Sequence, residues 1–332
     1  MFNVILSIDR IPGNCPTERN RVSLLARPAV ASLIAKTMQR LVMLADRRPS
    51  GRGSAAASHA RLPEFPRATS ELTVPTAIAP ARVVVYRPAT EDPAPPVHVN
   101  FHGGGFIMPV TETDDAFCRA VAALAGVVVV NVDYVVAPQH PFPAPPRQSY
   151  EVVRWIAENG AENGWDGTRL TVGGQSAGGG LAAAVARQAL EEGGPSIALQ
   201  VLHYAPLDLA TAAKDKRAAI AKPMLRPWMG EVFDSAYVPD PRERSDRLVS
   251  PAHPKETADL KGIAPALIVT AAHDRLRAEG ARYAERLRQV GSLVEHHDVA
   301  GVDHAYDLGD DEKGREIYAF IAQHVRRATA DA

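Results

Sequence analysis

Along this 332-residue chain the spacing of apolar positions switches repeatedly between a strand-like and a helix-like period, and each switch marks an element. Two extended stretches within residues 72–88, the second reading Arg82-Val-Val-Val-Tyr-Arg87, flank a Pro-rich connection and predict a hairpin. Residues 97–101 and 126–133 follow. The latter is a continuous β-branched run of the kind a strand buried on both faces needs. Further strands are expected at 170–173, 198–204, 266–272 and 293–299. Helical patterns at 115–125, 147–158, 177–191 and 280–290 lie between most of them, the last with Tyr283, Leu287 and Val290 on one face. Strands alternating with helices predict an α/β fold, a mostly parallel central sheet with helices on both faces.

Three stretches stand apart. Residues 27–45 read as an amphipathic helix whose Leu33, Ile34, Leu41, Val42 and Leu44 seek a partner surface. Residues 47–67 hold five arginines, one acid (Glu64) and many small residues, which is a linker composition, and the arginines read as a solvated hinge. Residues 208–249 are rich in charge and proline, carry Trp228, Phe233 and Tyr237, and read as an insertion between two core strands.

Composition narrows the function classes. With 37 basic and 38 acidic side chains the formal charge is −1, so a nucleic-acid partner is not expected. The short apolar run from Val4 to Ile8 lacks a basic lead-in and is ended by Asp9 and Arg10, so neither a leader nor stable membrane insertion is expected. Two cysteines, Cys15 and Cys118, cannot build a disulfide framework and have no metal-ligand spacing, which suits a cytoplasmic protein. No metal or organic cofactor is expected.

The chemistry lies in the glycines. Of 24, eight fall in two short stretches, Gly103 to Gly105 and Gly173 to Gly180. In the second, Gly174-Gln175-Ser176-Ala177-Gly178 follows a strand and precedes an Ala-rich helix, which is the nucleophile-elbow pattern. Small residues two before and two after the serine let a strand turn into a helix within almost no space. A Walker phosphate loop is excluded because no Lys-Ser or Lys-Thr follows. The first stretch, His102-Gly103-Gly104-Gly105-Phe106, also follows a strand and suits a loop that bares backbone N–H groups to a substrate's carbonyl oxygen.

Together these motifs resemble the hormone-sensitive-lipase family of esterases (bacterial family IV) within the α/β-hydrolase superfamily. The likeness runs from about Leu72 to Val325. It includes Asp133-Tyr-Val-Val-Ala-Pro-Gln-His-Pro-Phe-Pro143, similar to the family's DYRLAPEHPFP, and the stretch from Asp274 to Leu287. The resemblance implies an α/β-hydrolase catalytic domain over residues 70–330, with 1–69 as an N-terminal cap segment and linker and about 208–249 as an inserted cap. It also implies a serine carboxylesterase acting on short- to medium-chain acyl esters. A serine nucleophile needs a base and an orienting acid, in the chain order Ser, Asp, His. Asp274, at the end of a late strand, and His304, on a loop beyond the next one, fill those places beside Ser176. His296, His297, Asp298 and Asp303 are their rivals; Asp303 is expected to shape the loop, and His273 to be structural or exposed. The oxyanion is expected to meet the N–H groups of Ala177, Gly104 and Gly105, with Gly103 shaping the approach.

Departures from the family pattern are Gln175 before the nucleophile, Val135-Val136, Gln139, and His304-Ala-Tyr306. The same triad would serve an amidase, lactonase or deacetylase. A non-catalytic small-molecule receptor is the rival from another class, but that fate usually removes a triad member. The expected partner is a small-molecule ester, and a homodimer is compatible with the resemblance.

Overall fold

The computed structural model of the protein describes residues 23–46, 54–330 and 332. The run from Val4 to Ile8, Cys15, and the linker arginines Arg47, Arg48 and Arg52 lie outside the described residues. An eight-stranded sheet forms the centre: β1 (Thr69–Val74), β2 (Ala81–Tyr86), β3 (Pro96–Phe101), β4 (Val128–Asp133), β5 (Asp166–Gln175), β6 (Leu199–His203), β7 (Ala266–Ala271) and β8 (Leu293–Val299). Their spatial order is β1-β2-β4-β3-β5-β6-β7-β8. The β1–β2 pair is the expected antiparallel hairpin, β2 pairs antiparallel with β4, and the remaining pairs are parallel.

The apolar run of β4, interrupted by the buried Asn131, has a physical reason in the two layers that cover it. Val128, Val130 and Val132 join the core shared with α4 (Ala144–Glu158), α6 (Ala177–Glu192) and α8 (Arg277–Gln289). Val127 and Val129 join the core on the opposite face, with α3 (Asp115–Ala125) and α9 (Asp311–Ala330). Successive strand side chains point to opposite faces, so a strand covered on both favours apolar residues throughout; Asn131 fits because its amide accepts from Asn100 Nδ2 at 2.9 Å and donates to the Thr111 carbonyl at 2.8 Å. α4 starts three residues before the expected bound, with Pro145 and Pro146 in its first turn, where a missing N–H leaves no helical bond unmade. One turn, α5 (Gly160–Asn163), leads into β5. α9 stands outside the expected elements, although Ile317, Tyr318, Ile321 and Val325 recur at helical spacing and are buried.

Two expectations need correction. The N-terminal helix exists as α1 (Pro28–Asp46), but the face it buries is Ala31, Ala35 and Gln39, with Ile34 and Met38 packed alongside. Leu33, Leu41 and Leu44 are exposed. Small alanines let the helix approach closely, while Gln39 makes specific bonds described below.

The 47–67 segment is not simply a linker. Its alanine run forms a short helix, α2 (Ser54–Ala60), as the helix preference of alanine allows. Nor are Arg61 and Arg67 a solvated hinge. Arg61 donates to Asp311 Oδ1 at 2.6 Å and to the Asp307 carbonyl at 2.6 Å, and Arg67 pairs with the buried Asp115 at 2.8 Å. The 208–249 stretch does interrupt the alternation, between β6 and β7, and carries α7 (Pro227–Tyr237), which packs against α1.

Candidate active site

Ser176 sits alone between the end of β5 and the start of α6, at φ 53° and ψ −121°. A non-glycine residue in that region is strained and is held there by its surroundings. Those surroundings have no room for side chains: a Cβ on Gly174 or Gly178 would fall on the Phe101 carbonyl oxygen. Gly173, Gly179 and Gly180 are packing glycines too. Their Cβ atoms would lie 2.9 Å from Val201 Cβ, 2.8 Å from Ala205 Cβ and 3.0 Å from the Pro206 carbonyl oxygen.

The loops after β7 and β8 bring two partners to this turn. His304 Nε2 is 2.9 Å from Ser176 Oγ, and His304 Nδ1 is 2.7 Å from Asp274 Oδ2. The second Asp274 oxygen accepts the Leu276 N–H at 3.0 Å, which orients the carboxylate. Both Asp274 and His304 are buried. Their rivals make other bonds. His296 meets Thr270 Oγ1 at 3.0 Å, His297 packs on the Phe320 ring, and Asp298 pairs with Arg277 at 2.7 Å. Asp303 accepts the His304 N–H at 2.8 Å and the Met224 N–H at 2.6 Å, so it braces the loop and ties it to the inserted segment. His273 is half-buried, and its backbone N–H donates to the Val302 carbonyl.

The glycine loop after β3 faces the same serine. A Cβ on Gly103 would stand 3.3 Å from the Gln175 carbonyl oxygen and 3.7 Å from Ser176 Cβ, so loop and elbow are in van der Waals contact. Gly104 and Gly105 have φ of 111° and 61°, and at Gly105 the Phe233 ring occupies the place of a side chain, 2.6 Å from an ideal Cβ. Among the described residues, the N–H groups of Gly104, Gly105 and Ala177 donate to no other group. His102 braces the loop from behind: its Nδ1–H donates to the Gly103 carbonyl at 2.6 Å, and its ring stacks on Tyr134 at 4.3 Å. Burial pushes the His102 imidazole below its ordinary pKa, which keeps the ring neutral.

α1 and α7 hold the far side of this loop. Phe106 stacks on Tyr237 with ring centroids 4.0 Å apart. Gln39 of α1, buried, donates through Nε2 to the Ile107 carbonyl at 2.6 Å and the Ala137 carbonyl at 2.9 Å. Its Oε1 accepts from Gln139 Nε2 at 2.8 Å, so the glutamine that stands where the family has glutamate is one half of an amide pair. No sequence signal marks Gln39, a lone polar residue on a helix read for its apolar face. Arg275, next to Asp274, donates to the Leu225, Ala213 and Lys216 carbonyls at 2.9, 2.8 and 2.7 Å and so grips the inserted segment. Two of the other departures also have partners: Gln175 Nε2 reaches Asp307 Oδ2 at 2.5 Å, and the Tyr306 hydroxyl lies 3.1 Å from His203 Nε2.

Comparison with known proteins agrees with this architecture. A family described as alpha/beta hydrolase fold matches residues 98–308. Carboxylesterase NlhH of Mycobacterium tuberculosis is 39% identical over 229 residues, covering 68% of this chain and 70% of the relative. Esterase LipI of the same organism is 35% identical over 246 residues, covering 71% and 74%. Among solved structures, the Pyrobaculum calidifontis esterase superposes with a TM-score of 0.76 at 31% identity, covering 91% of this chain and 94% of that one. The thermophilic carboxylesterase EstE1, from a metagenomic library, superposes with a TM-score of 0.74 at 30% identity, covering 93% and 99%. The chain belongs to the hormone-sensitive-lipase-like family of carboxylic ester hydrolases built on the α/β-hydrolase fold.

Proposed function

We propose that the chain is a serine carboxylesterase for short- to medium-chain acyl esters, with Ser176 as nucleophile, His304 as general base and acid, and Asp274 as the orienting carboxylate. The observation that carries this reading is the unbroken pair of contacts from Ser176 Oγ to His304 Nε2 at 2.9 Å and from His304 Nδ1 to Asp274 at 2.7 Å. Ser176 Oγ attacks the ester carbonyl while Nε2 takes its proton, and Asp274 stabilises the imidazolium and fixes its tautomer. The tetrahedral oxyanion is met by the N–H groups of Ala177, Gly104 and Gly105, with Gly103 leaving the approach open. These donors are fixed before the charge develops, so little reorganisation is needed when it does. Ala177 is also the first residue of a 16-residue helix, whose N-terminal partial charge favours an anion there. His304 returns the proton to the alcohol leaving group, then activates the water that releases the acyl group from Ser176. Residues 1–69 and about 208–249 act as the cap over the acyl pocket, through α1 and α7.

Ser176→Ala and His304→Ala are each expected to lower kcat on the order of 10⁴-fold or more. A panel of p-nitrophenyl esters from two to twelve carbons, run beside amide and lactone analogues, tests the substrate range. Highest kcat/KM on esters of the shorter chains supports the reading, whereas a preference for amides or lactones transfers the same triad to the other chemistry. Full activity in purified Ser176→Ala would sink the assignment.

A further inference from the structure

Beyond the triad, the end of the sheet holds a second buried carboxylate. Asp307, three residues past His304, is fully buried and touches neither Ser176 nor the proposed oxyanion donors. Its Oδ2 accepts from Gln175 Nε2 at 2.5 Å and from the Tyr318 hydroxyl at 2.9 Å, and its Oδ1 accepts from the Tyr204 hydroxyl at 2.7 Å. Three donors on one carboxylate join the His304 loop, the last residue of β5, the first residue past β6, and α9. Burial, followed by the negative charge of Asp307, holds the Tyr204 and Tyr318 hydroxyls well above the ordinary phenol pKa, so both remain donors.

Two of those donors belong to residues in direct contact with the reacting groups. Gln175 precedes Ser176 and leads into its strained turn, and the other end of its amide, Oε1, has no partner among the described residues. The side chain is therefore held from one end only, by Asp307. Tyr204 lays its ring against His304 with centroids 4.7 Å apart, while its own backbone sits at φ 39°, a strained value for a tyrosine. Its neighbour His203 accepts the Ser176 N–H through its carbonyl at 2.9 Å. Strain of this kind persists only where surrounding bonds over-determine it.

We propose that Asp307 is a positioning residue for the hydrolysis: through Gln175 it fixes the turn that aims Ser176 Oγ, and through Tyr204 it fixes the plane against which the His304 ring is held. This rests on the Ser176–His304–Asp274 reading. It also gives Gln175 a role, since an amide donor at that position complements a carboxylate on the facing loop.

The test is a reciprocal exchange. In Asp307→Asn, whichever way the new amide is turned, either Tyr204 or the Gln175 and Tyr318 pair loses its acceptor. In Gln175→Glu, two carboxylates face each other. In Gln175→Glu/Asp307→Asn the donor and acceptor are interchanged and the contact is restored. Active enzyme is counted by p-nitrophenol release from a p-nitrophenyl alkylphosphonate, and kcat and KM are measured with p-nitrophenyl butyrate. Each single variant is expected to lose roughly 10- to 100-fold in kcat per titrated site, with KM within about twofold, because misplacement of reacting groups acts on the transition state. The double variant is expected to recover most of that loss. Tyr204→Phe removes one hydroxyl without altering the fold and should lower kcat about 3- to 10-fold on the same assay. Unchanged kcat per titrated site in the single variants and in Tyr204→Phe overturns the proposal, as does a double variant no better than the worse single one. Failure of the parent protein to release any p-nitrophenol from the phosphonate would instead overturn the triad reading.

Discussion

Gly178 separates the requirement for space at the elbow from the requirement for a particular side chain. In Gly178→Ala the added methyl would fall on the Phe101 carbonyl oxygen, 2.5 Å from the Phe101 carbonyl carbon and 2.9 Å from the His102 carbonyl oxygen. The methyl would overlap that oxygen outright, and Cβ contacts shorter than 3.0 Å are not sustained, so α6 and the end of β3 must part by more than about 1 Å. None of the clashing atoms is the movable end of a side chain; all are backbone. Overpacking of this kind costs about 1–3 kcal/mol and more where the backbone must shift. The direction of the shift matters more than its energy, because Phe101 leads straight into the loop of Gly103 to Gly105. Displacing that loop by about 1 Å from Ser176 should lower kcat about 10²-fold. Gly309→Ala is the matched control, since its Cβ would meet nothing within 4 Å and its φ of −110° suits any residue. Thermal unfolding followed by circular dichroism, and kcat for p-nitrophenyl butyrate per titrated site, should show Gly178→Ala several degrees less stable and about 10²-fold slower than Gly309→Ala. A Gly178→Ala protein with the control's Tm and with kcat within threefold of it would refute the steric argument.

Gln39→Leu keeps the volume of the α1 side chain but leaves the Ile107 and Ala137 carbonyls without their donor, so kcat should fall about tenfold and Tm by a few degrees. An unchanged kcat alongside a lowered Tm would confine Gln39 to holding α1 in place. Asp114 is buried on Asn100, and burial raises its carboxyl to about 7 from the ordinary 3.8. A carboxyl raised on folding stabilises the protein fully below 3.8, and that contribution is lost as pH climbs through about 7. The span is worth at most about 4 kcal/mol. Asp114→Asn should therefore gain stability relative to the parent between pH 5 and 8, measured by urea unfolding; a pH-independent difference would contradict it.

The parts of the fold that were legible in the sequence are those where burial dictates residue type. β4 is apolar at all but Asn131 and its last residue, Asp133, because both of its faces are covered, and Gly174 and Gly178 stand where backbone meets backbone. The same logic misleads at α1, where Leu33 and Leu41 look like the buried face while Ala31 and Ala35 are the residues that pack. Close approach selects small side chains, which carry little hydrophobic signal. At the candidate site, the meeting of Ser176, Asp274 and His304 could be read from position relative to strands, but the contacts of Asp307, Gln39 and Arg275 could not. Each has partners 50 or more positions away, such as Gln175, Ile107 and Leu225. A polar residue acquires meaning from what it faces, and one sequence does not say what faces what.

The grip of Arg275 and Asp303 on the inserted segment bears on how such an enzyme can be altered. The residues directly beside the proposed acid and base are the ones that clasp residues 213–225, through three carbonyls and one amide. The segment is thus no interchangeable module. A graft from a relative that fails to present those four backbone groups in register would disturb Asp274 and His304 from their far sides. If this segment caps the acyl pocket, as proposed, substrate range and turnover are inherited together, and any effort to retune one by recombination should start by preserving that clasp.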